Sequence, residues 1–413
     1  MLLGLAYPEL RLDFFVWLIT HRADIEDTVS YHLGLTGSEI CRLGEVREWI
    51  HGSFNVCILV YVDNWHKHPG RRVMIRFPLP YKIGESTFPG NADEKLRCEV
   101  ATFIWIQENC SHVPIPYLWG FGFVGGQSFT KPDSVSLKKR LVWYLRRHIS
   151  SLFGFTLPCR YISHRRQSVL ERGYLVIDYI EDSGVKMLSE TWDEFQHCEV
   201  RKRNLFRDLS RIMLSLDSYG ILQLNNRPLT LRLQQLENEG IPTNIARNLT
   251  YSATDAYYLD LLSCHDNRIR HQPNSMNDES DGRAQMANLI IMRALLSHFT
   301  NREFRHGPFV LRLTDLHQSN VFVDDDWNIK CLIYLEWACS LPVETMRPPY
   351  WLTGRPADDL VGQHLDSFSK ARDEFMDIFK EEKSFPSENG IASYRTNIMR
   401  GVGKSETFGI FKH

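Results

Sequence analysis

The sequence has no apolar run long enough to span a bilayer, no Cys-x-x-Cys pair, no internal repeat and almost no net charge. Each absence removes a class of protein. In MLLGLAYPELRLDFFVWLITHR, Pro8, Glu9, Arg11 and Asp13 break the apolar residues well short of the roughly 20 that a spanning helix needs. No basic start precedes a clean apolar core, so no secretory signal is expected. Phe14, Phe15, Trp17, Leu18 and Ile19 instead predict one face of a short docking helix. The nine cysteines are scattered and odd in number, which argues against a zinc site or a disulfide framework. They read as thiols packed in apolar runs, which fits a reducing, cytoplasmic setting. A formal net charge of −2 indicates no general polyanion-binding surface. Neither a nucleic-acid nor a membrane partner is expected.

What is present suits an ordinary folded chain: 413 residues, 43% hydrophobic and 24% charged. Residues 10–35 read as helical. Residues 45–64 read as two strands around Gly52 and Ser53, with Val56, Ile58, Val60 and Val62 on one face. Residues 71–80 predict a third strand, ended by prolines. Residues 91–109 predict a helix capped by Asn91, with Glu94 as its capping-box partner. Further strands fall in 115–126 and 172–184. Between them, about 131–172 is rich in Lys and Arg, including Lys138, Lys139, Arg140, Arg146, Arg147, Arg165 and Arg166. Two readings apply: contact with an anionic partner, or a solvated amphipathic helix with Leu141, Trp143 and Leu145 against the body, and the second is favoured. From 203 the chain turns helical: a helix stopping at Gly220, another over 252–264, an exposed loop over 265–282, a buried helix over 283–299 and a charged helix over 356–382. The predicted plan is a 1–40 helical extension, a 41–182 strand-rich lobe with a basic insertion at about 127–172, a 183–355 helical lobe, and a 356–413 helix and tail.

The stretch LRLTDLHQSNVFVDDDWNIKCLIYLEWA (311–338) carries the chemistry. It reads as an irregular loop, then two strands joined by the turn DDDWN. Phosphoryl transfer needs a carboxylate to orient and deprotonate the attacking hydroxyl, and oxygen ligands to hold Mg²⁺ on the nucleotide phosphates. Asp315 and Asn320, five residues apart, have the spacing kinases use; taken alone, they also read as loop residues capping their own backbone.

This stretch resembles the catalytic loop of the aminoglycoside phosphotransferase and choline kinase group. The group's pattern is H-G-D-x-H-x-x-N, a hairpin, then Ile-Asp-Trp or Ile-Asp-Leu-Glu-Trp. The wording LTDLHQSN…LEWACSLPVE…PPYWLTG is most like the fungal set, and the resemblance covers roughly 40–355. It implies an α+β, bilobal protein-kinase-like fold: a small antiparallel β-sheet N-lobe with one helix, and a mainly helical C-lobe. It implies ATP and Mg²⁺ as cofactors. Asp315 would be the catalytic base, Asn320 a metal ligand and His317 a support for the loop. Gly52 and Ser53 would form the nucleotide lid. Arg76, in VMIRF, stands where the group has a phosphate-binding Lys, and Glu99 would be its partner. Asp178, Tyr179, Ile180 and Glu181 would form the hinge that meets adenine. Taken singly, the lid reads as a hairpin turn and the two charges as surface residues; their order along one template carries the reading.

The chain departs from the pattern in both the loop and the hairpin. Leu313 replaces the first His. Tyr334 replaces the second metal-binding Asp, and a phenol that stays protonated near neutral pH is a poor Mg²⁺ ligand. Glu336 lies on the same face if the strand continues, about 6–7 Å further along; it is a substitute ligand or, more in keeping with the group, a packing residue. Two functions therefore stand. One is ATP-dependent transfer to a hydroxyl of an unknown small molecule, impaired by Tyr334. The other is an inactive pseudokinase that binds or scaffolds a protein partner. Substrate choice would reside in 225–282, where nothing spells out a ligand.

Overall fold

The computed structural model describes residues 2–155, 157–165, 170–217, 226–383 and 399. Arg166, Gly220 and the tail after 383, apart from Met399, lie outside them. The chain divides into two compact units, one of residues 1–104 and 116–181, the other of 105–115 and 182–413.

The first unit is built on an antiparallel sheet. Its strands are β1 (Ile40–Leu43), β2 (Ile50–His51), β3 (Asn55–Asp63), β4 (Val73–Pro78), β5 (Leu118–Gly122), β6 (Gln127–Thr130), β7 (Ile162–Arg165) and β8 (Tyr174–Asp178). The order is β1-β3-β4-β8-β5-β6-β7, with β2 also paired to β3. The strand predicted from 45 to Gly52 is mostly a 3-10 turn over Val46–Glu48, with only Ile50–His51 extended, and β1 lies before the predicted range. The Glu45 and Glu48 carboxylates cap that turn reciprocally.

Alternation along β3 and β4 sorts side chains between the two faces. Val56, Ile58, Val60, Val73, Ile75 and Phe77 enter one core with Phe14 and Leu18 of α1 (Leu2–Thr20) and Ile25, Val29 and Leu33 of α2 (Arg22–Leu33). The N-terminal helices therefore cover one face of this sheet. Of the predicted docking face, Phe14 and Leu18 are buried, whereas Ile19 is 49% exposed.

Between β4 and β5 comes α3 (Asn91–Asn109), as predicted. Its first turn is tied down by Glu85, whose carboxylate accepts the Gly90 and Ala92 N–H groups at 2.7 and 2.6 Å. The Asn91 amide donates to the Ile83 carbonyl at 2.9 Å. The basic segment forms α4 (Leu137–Leu152). Here the structure corrects the sequence reading. Trp143 is half-buried and donates to the Cys159 carbonyl at 3.0 Å, but Leu141 and Leu145 are 71% and 59% exposed.

The second unit is mainly helical. It contains β9 (Lys186–Met187), α5 (Leu188–Phe195), α6 (Glu199–Asp217), α7 (Leu231–Asn238), α8 (Thr254–His271), α9 (Glu279–Phe299) and α10 (Gln363–Lys383). Its strands β10 (Phe309–Leu313), β11 (Val321–Val323), β12 (Ile329–Leu332) and β13 (Ala338–Pro342) form two small sheets, β10-β13 and β12-β11-β9. The exposed loop predicted over 265–282 shrinks to 272–278, because α8 runs on to His271 and α9 starts at Glu279. Nor is α9 a buried helix: Met286, Ile290 and Ile291 are each more than half exposed. The α+β plan, an antiparallel-sheet unit and a mainly helical unit, is the fold class the sequence predicts. Among the described residues, no helix is long and apolar enough to cross a membrane.

Candidate functional site

In the first unit, β4 and α3 place a charged pair. Arg76 points to the face opposite Ile75 and Phe77, and its Nη1 donates to Glu99 Oε1 at 2.5 Å. Arg76 is 3% exposed and Glu99 1%. A surface Arg and a surface Glu are thereby excluded. One turn before Glu99, Lys95 is fully buried, and its Nζ donates to Asn55 Oδ1 at 2.7 Å. Asn55 opens β3 immediately after the Gly52–Ser53–Phe54 turn, which is closed by the Gly52 N–H donating to the Asn55 carbonyl at 2.9 Å. Ser53 at the tip is exposed. Sequence reasoning missed Lys95; its i, i+4 relation to Glu99, which puts both on one helix face, was the available signal.

The end of β8 is also held in place. The Asp178 carboxylate accepts from Arg71 Nη2 at 2.6 Å and from Trp119 Nε1 at 2.7 Å. Burial raises its pKa, and the Trp119 hydrogen bond and the Arg71 charge oppose that rise. The Asp178 and Tyr179 N–H groups donate to the carbonyls of Tyr117 and Arg72. Glu181 accepts from the Arg72 backbone N–H at 3.0 Å and pairs with its guanidinium, which also lies over the Tyr179 ring. Of the residues expected to form the hinge, Asp178 and Glu181 thus spend their side chains on structure. Ile180 follows without a strand assignment. A depression of about 460 Å³ in this unit, lined by Asp27, Tyr31, Lys67 and Asp133 among others, includes none of the candidate residues.

In the second unit, the loop between β10 and β11 carries Asp315, His317 and Asn320. The buried Asn320 donates from Nδ2 to the Asp315 carbonyl at 2.6 Å. That bond fixes the loop and leaves the Asn320 amide oxygen as its ligand atom. The His317 Nδ1 accepts the Ser319 N–H at 3.3 Å, and burial lowers the pKa of the imidazole. Asp315 is half-buried, and its charge helps raise the pKa of Tyr350, after burial of that phenol. Trp351 secures the loop from the far side, donating from Nε1 to the Leu316 carbonyl at 2.6 Å. Thr314 donates from Oγ1 to the Trp337 carbonyl at 2.6 Å.

The hairpin β11–β12 brings Tyr334 beside this loop. Val321 pairs with Leu332, and the Ile333 N–H donates to the Asn320 carbonyl at 3.0 Å. Tyr334 is the next residue. It is half-buried, with φ +60°. That left-handed conformation is one Asn and Asp tolerate and a bulky side chain does not favour. The backbone here thus suits an Asn or Asp better than the tyrosine that occupies it.

Glu336 does not sit further along the same strand, since β12 ends at Leu332. It is 1% exposed. Asp324 belongs to the turn at the other end of the hairpin, where its carboxylate accepts the N–H groups of Asp326 and Asn328 and pairs with Lys330. Among the described residues, no cluster of three His, Cys, Asp or Glu side chains could hold a metal ion. One amide oxygen, one phenol and one enclosed carboxylate do not make a Mg²⁺ donor set of the expected kind.

No protein-family model matches this sequence. A search of curated proteins likewise finds no match. Among solved structures, the chain is similar to an ethanolamine kinase of Plasmodium vivax at 10% identity, with 89% of this chain and 83% of that one covered and a TM-score of 0.36. It is similar to a macrolide 2′-phosphotransferase type I at 12% identity, with 91% and 89% covered and a TM-score of 0.35. The choline kinase LicA from Streptococcus pneumoniae matches at 10% identity, with 92% and 98% covered and a TM-score of 0.35. Likeness this slight carries no argument, and the fold class rests on the strands and helices described above.

Proposed function

We propose that this protein is a kinase-like phosphotransferase relative of the aminoglycoside phosphotransferase and choline kinase group, with phosphoryl transfer to a small-molecule hydroxyl impaired by Tyr334. The buried Arg76–Glu99 pair carries the reading. Burial alone does not single the pair out, since Arg227 and Glu237 are as deeply buried in the other unit. What supports the reading is that Arg76 and Glu99 fall, on β4 and α3, where the resembled pattern has its phosphate-binding cation and that cation's partner.

In this reading Arg76, held by Glu99, supplies a fixed cation to ATP, and Lys95 holds the strand that follows the lid through Asn55. Adenine would be met by carbonyls of 178–181 or by the N–H groups of Ile180 and Glu181, because the Asp178 and Tyr179 N–H groups are engaged in the sheet. ATP supplies the transferable phosphoryl group. Asp315 orients the accepting hydroxyl and takes its proton. The donor set does not fit Mg²⁺, so no step is assigned to the metal.

The second reading, a pseudokinase acting as a binding or scaffold module, is favoured by Tyr334 alone. Titration of ATP by calorimetry separates the two from an unrelated function. The proposal expects ATP binding that depends little on Mg²⁺ and is lost in Arg76→Met. Absence of ATP binding by the wild-type chain would overturn it.

A further inference from the structure

The helix α4 is docked the wrong way round for an ordinary surface helix. Its half-buried positions are polar or amphipathic: Arg140 pairs with Asp133, Trp143 donates to the Cys159 carbonyl, and Arg147 donates to the Pro158 carbonyl at 3.0 Å. These residues recur at i, i+3 and i+7, one face of a helix. The exposed face is mainly apolar, with Lys138 and His148 set among its leucines. Leu137, Leu141, Leu145 and Leu152 are 72%, 71%, 59% and 70% exposed, and Phe153 and Phe155 continue the surface at 70% and 66%. Exposed single leucines need no explanation, but a contiguous stripe of this kind marks an interaction surface.

The charge around the stripe says what covers it. Lys138, Lys139 and Arg146 are exposed beside it. No Asp or Glu occurs anywhere between Asp133 and Glu171, a segment that holds eight Lys and Arg residues. A second copy would bring two cationic faces together with no acid between them. A groove-forming partner would have to grip a helix whose other side is already bonded to its own unit. An anionic lipid surface needs only one apolar face and a basic flank. The helix α1 offers no such match, because Glu9 and Asp13 interrupt its exposed apolar residues.

We infer that α4 and the Phe153–Phe155 turn form a peripheral membrane-docking surface that lies in the headgroup layer of anionic bilayers. This departs from the expectation of no membrane partner, which considered only spanning segments and average charge. It is independent of the phosphotransferase reading. The test is co-sedimentation of the full chain with vesicles of phosphatidylcholine alone or with phosphatidylserine added. The expected result is binding to the anionic vesicles, weakened by salt and at least about tenfold tighter than to the neutral ones. The double variants Lys138→Glu/Lys139→Glu and Leu141→Gln/Leu145→Gln should each lose about tenfold in affinity, with unchanged thermal melting because the altered side chains face solvent. No binding to either vesicle would overturn the inference, as would equal binding to both. A dimer in solution that Leu141→Gln/Leu145→Gln dissolves, without vesicle binding, would assign the face to a second copy. Capture of an acidic protein in place of vesicles would likewise refute it.

Discussion

In the sheet-bearing unit, β4 and α3 bury Arg76 against Glu99, and Lys95 against Asn55, so every charge in that cluster has a partner the fold supplies. In the helical unit, the loop that carries Asp315 and Asn320 is equally well secured, by the Asn320 amide, Trp351 and Thr314. The residue the same hairpin delivers next is a tyrosine in a backbone conformation that suits an aspartate. The contrast teaches that scaffold and chemistry come apart at single positions. Hydrogen bonds between backbone and loop hold the frame whatever side chain stands at 334. In the proposed function, the chemistry is what the side chain at 334 would alter.

The comparison can be broken at several points. The largest effect is expected for Asp315→Asn made in a Tyr334→Asp background, where it should remove whatever turnover that background gains, by roughly two to four powers of ten. Single-turnover kinetics with a hydroxyl acceptor, or ATP hydrolysis, reads this out. Next is Arg76→Met, which removes the ion-pair partner of the buried Glu99 and should cost about 3–5 kcal/mol in denaturant unfolding. Arg227→Met is its control. Arg227 pairs with Glu237 at 2.6 Å, both about 3% exposed, in the other unit. It should destabilise by a similar amount and leave ATP affinity intact, whereas Arg76→Met loses both.

A smaller change is expected for Tyr334→Asn, which puts a residue more tolerant of φ +60° there and should stabilise by at most about 1 kcal/mol, measured as a rise in the unfolding midpoint. The smallest concerns pH. Burial holds the His317 pKa below its ordinary 6.5, so the folded state resists the proton that the unfolded chain accepts. This group's contribution to stability is therefore present above pH 6.5 and falls as pH drops below it. His317→Gln should flatten the slope of stability against pH below 6.5.

Much of this was legible in the sequence, for physical reasons that vary by element. The helix α3 was legible because its apolar stripe and its charges share one period. The strands β3 and β4 were legible because they are buried on both faces or alternate cleanly. Short strands such as β6 (QSFT) and β7 (ISHR) carry no apolar alternation and went unseen. The loop at 315–320 was singled out by spacing, and Tyr334 by resemblance. Its left-handed backbone could not be read from residue type, because tyrosine rarely adopts it. The cap from Glu85 and the anchors from Trp119 and Trp351 were invisible because each spans a gap in sequence that no local pattern encodes. α4 misled for another reason: amphipathicity tells that a helix has two faces, not which one the body takes. A net charge averaged over the chain also hid a segment with no acidic residue at all.

The proposed function turns most on Tyr334, the residue held to impair phosphoryl transfer. The direct measurement is Mg²⁺-dependent ATP turnover of the wild-type chain and of Tyr334→Asp, side by side. The account predicts turnover near background for the wild type and a Mg²⁺-dependent gain of roughly two powers of ten or more in the variant. Equal, robust Mg²⁺-dependent turnover in both proteins would contradict it.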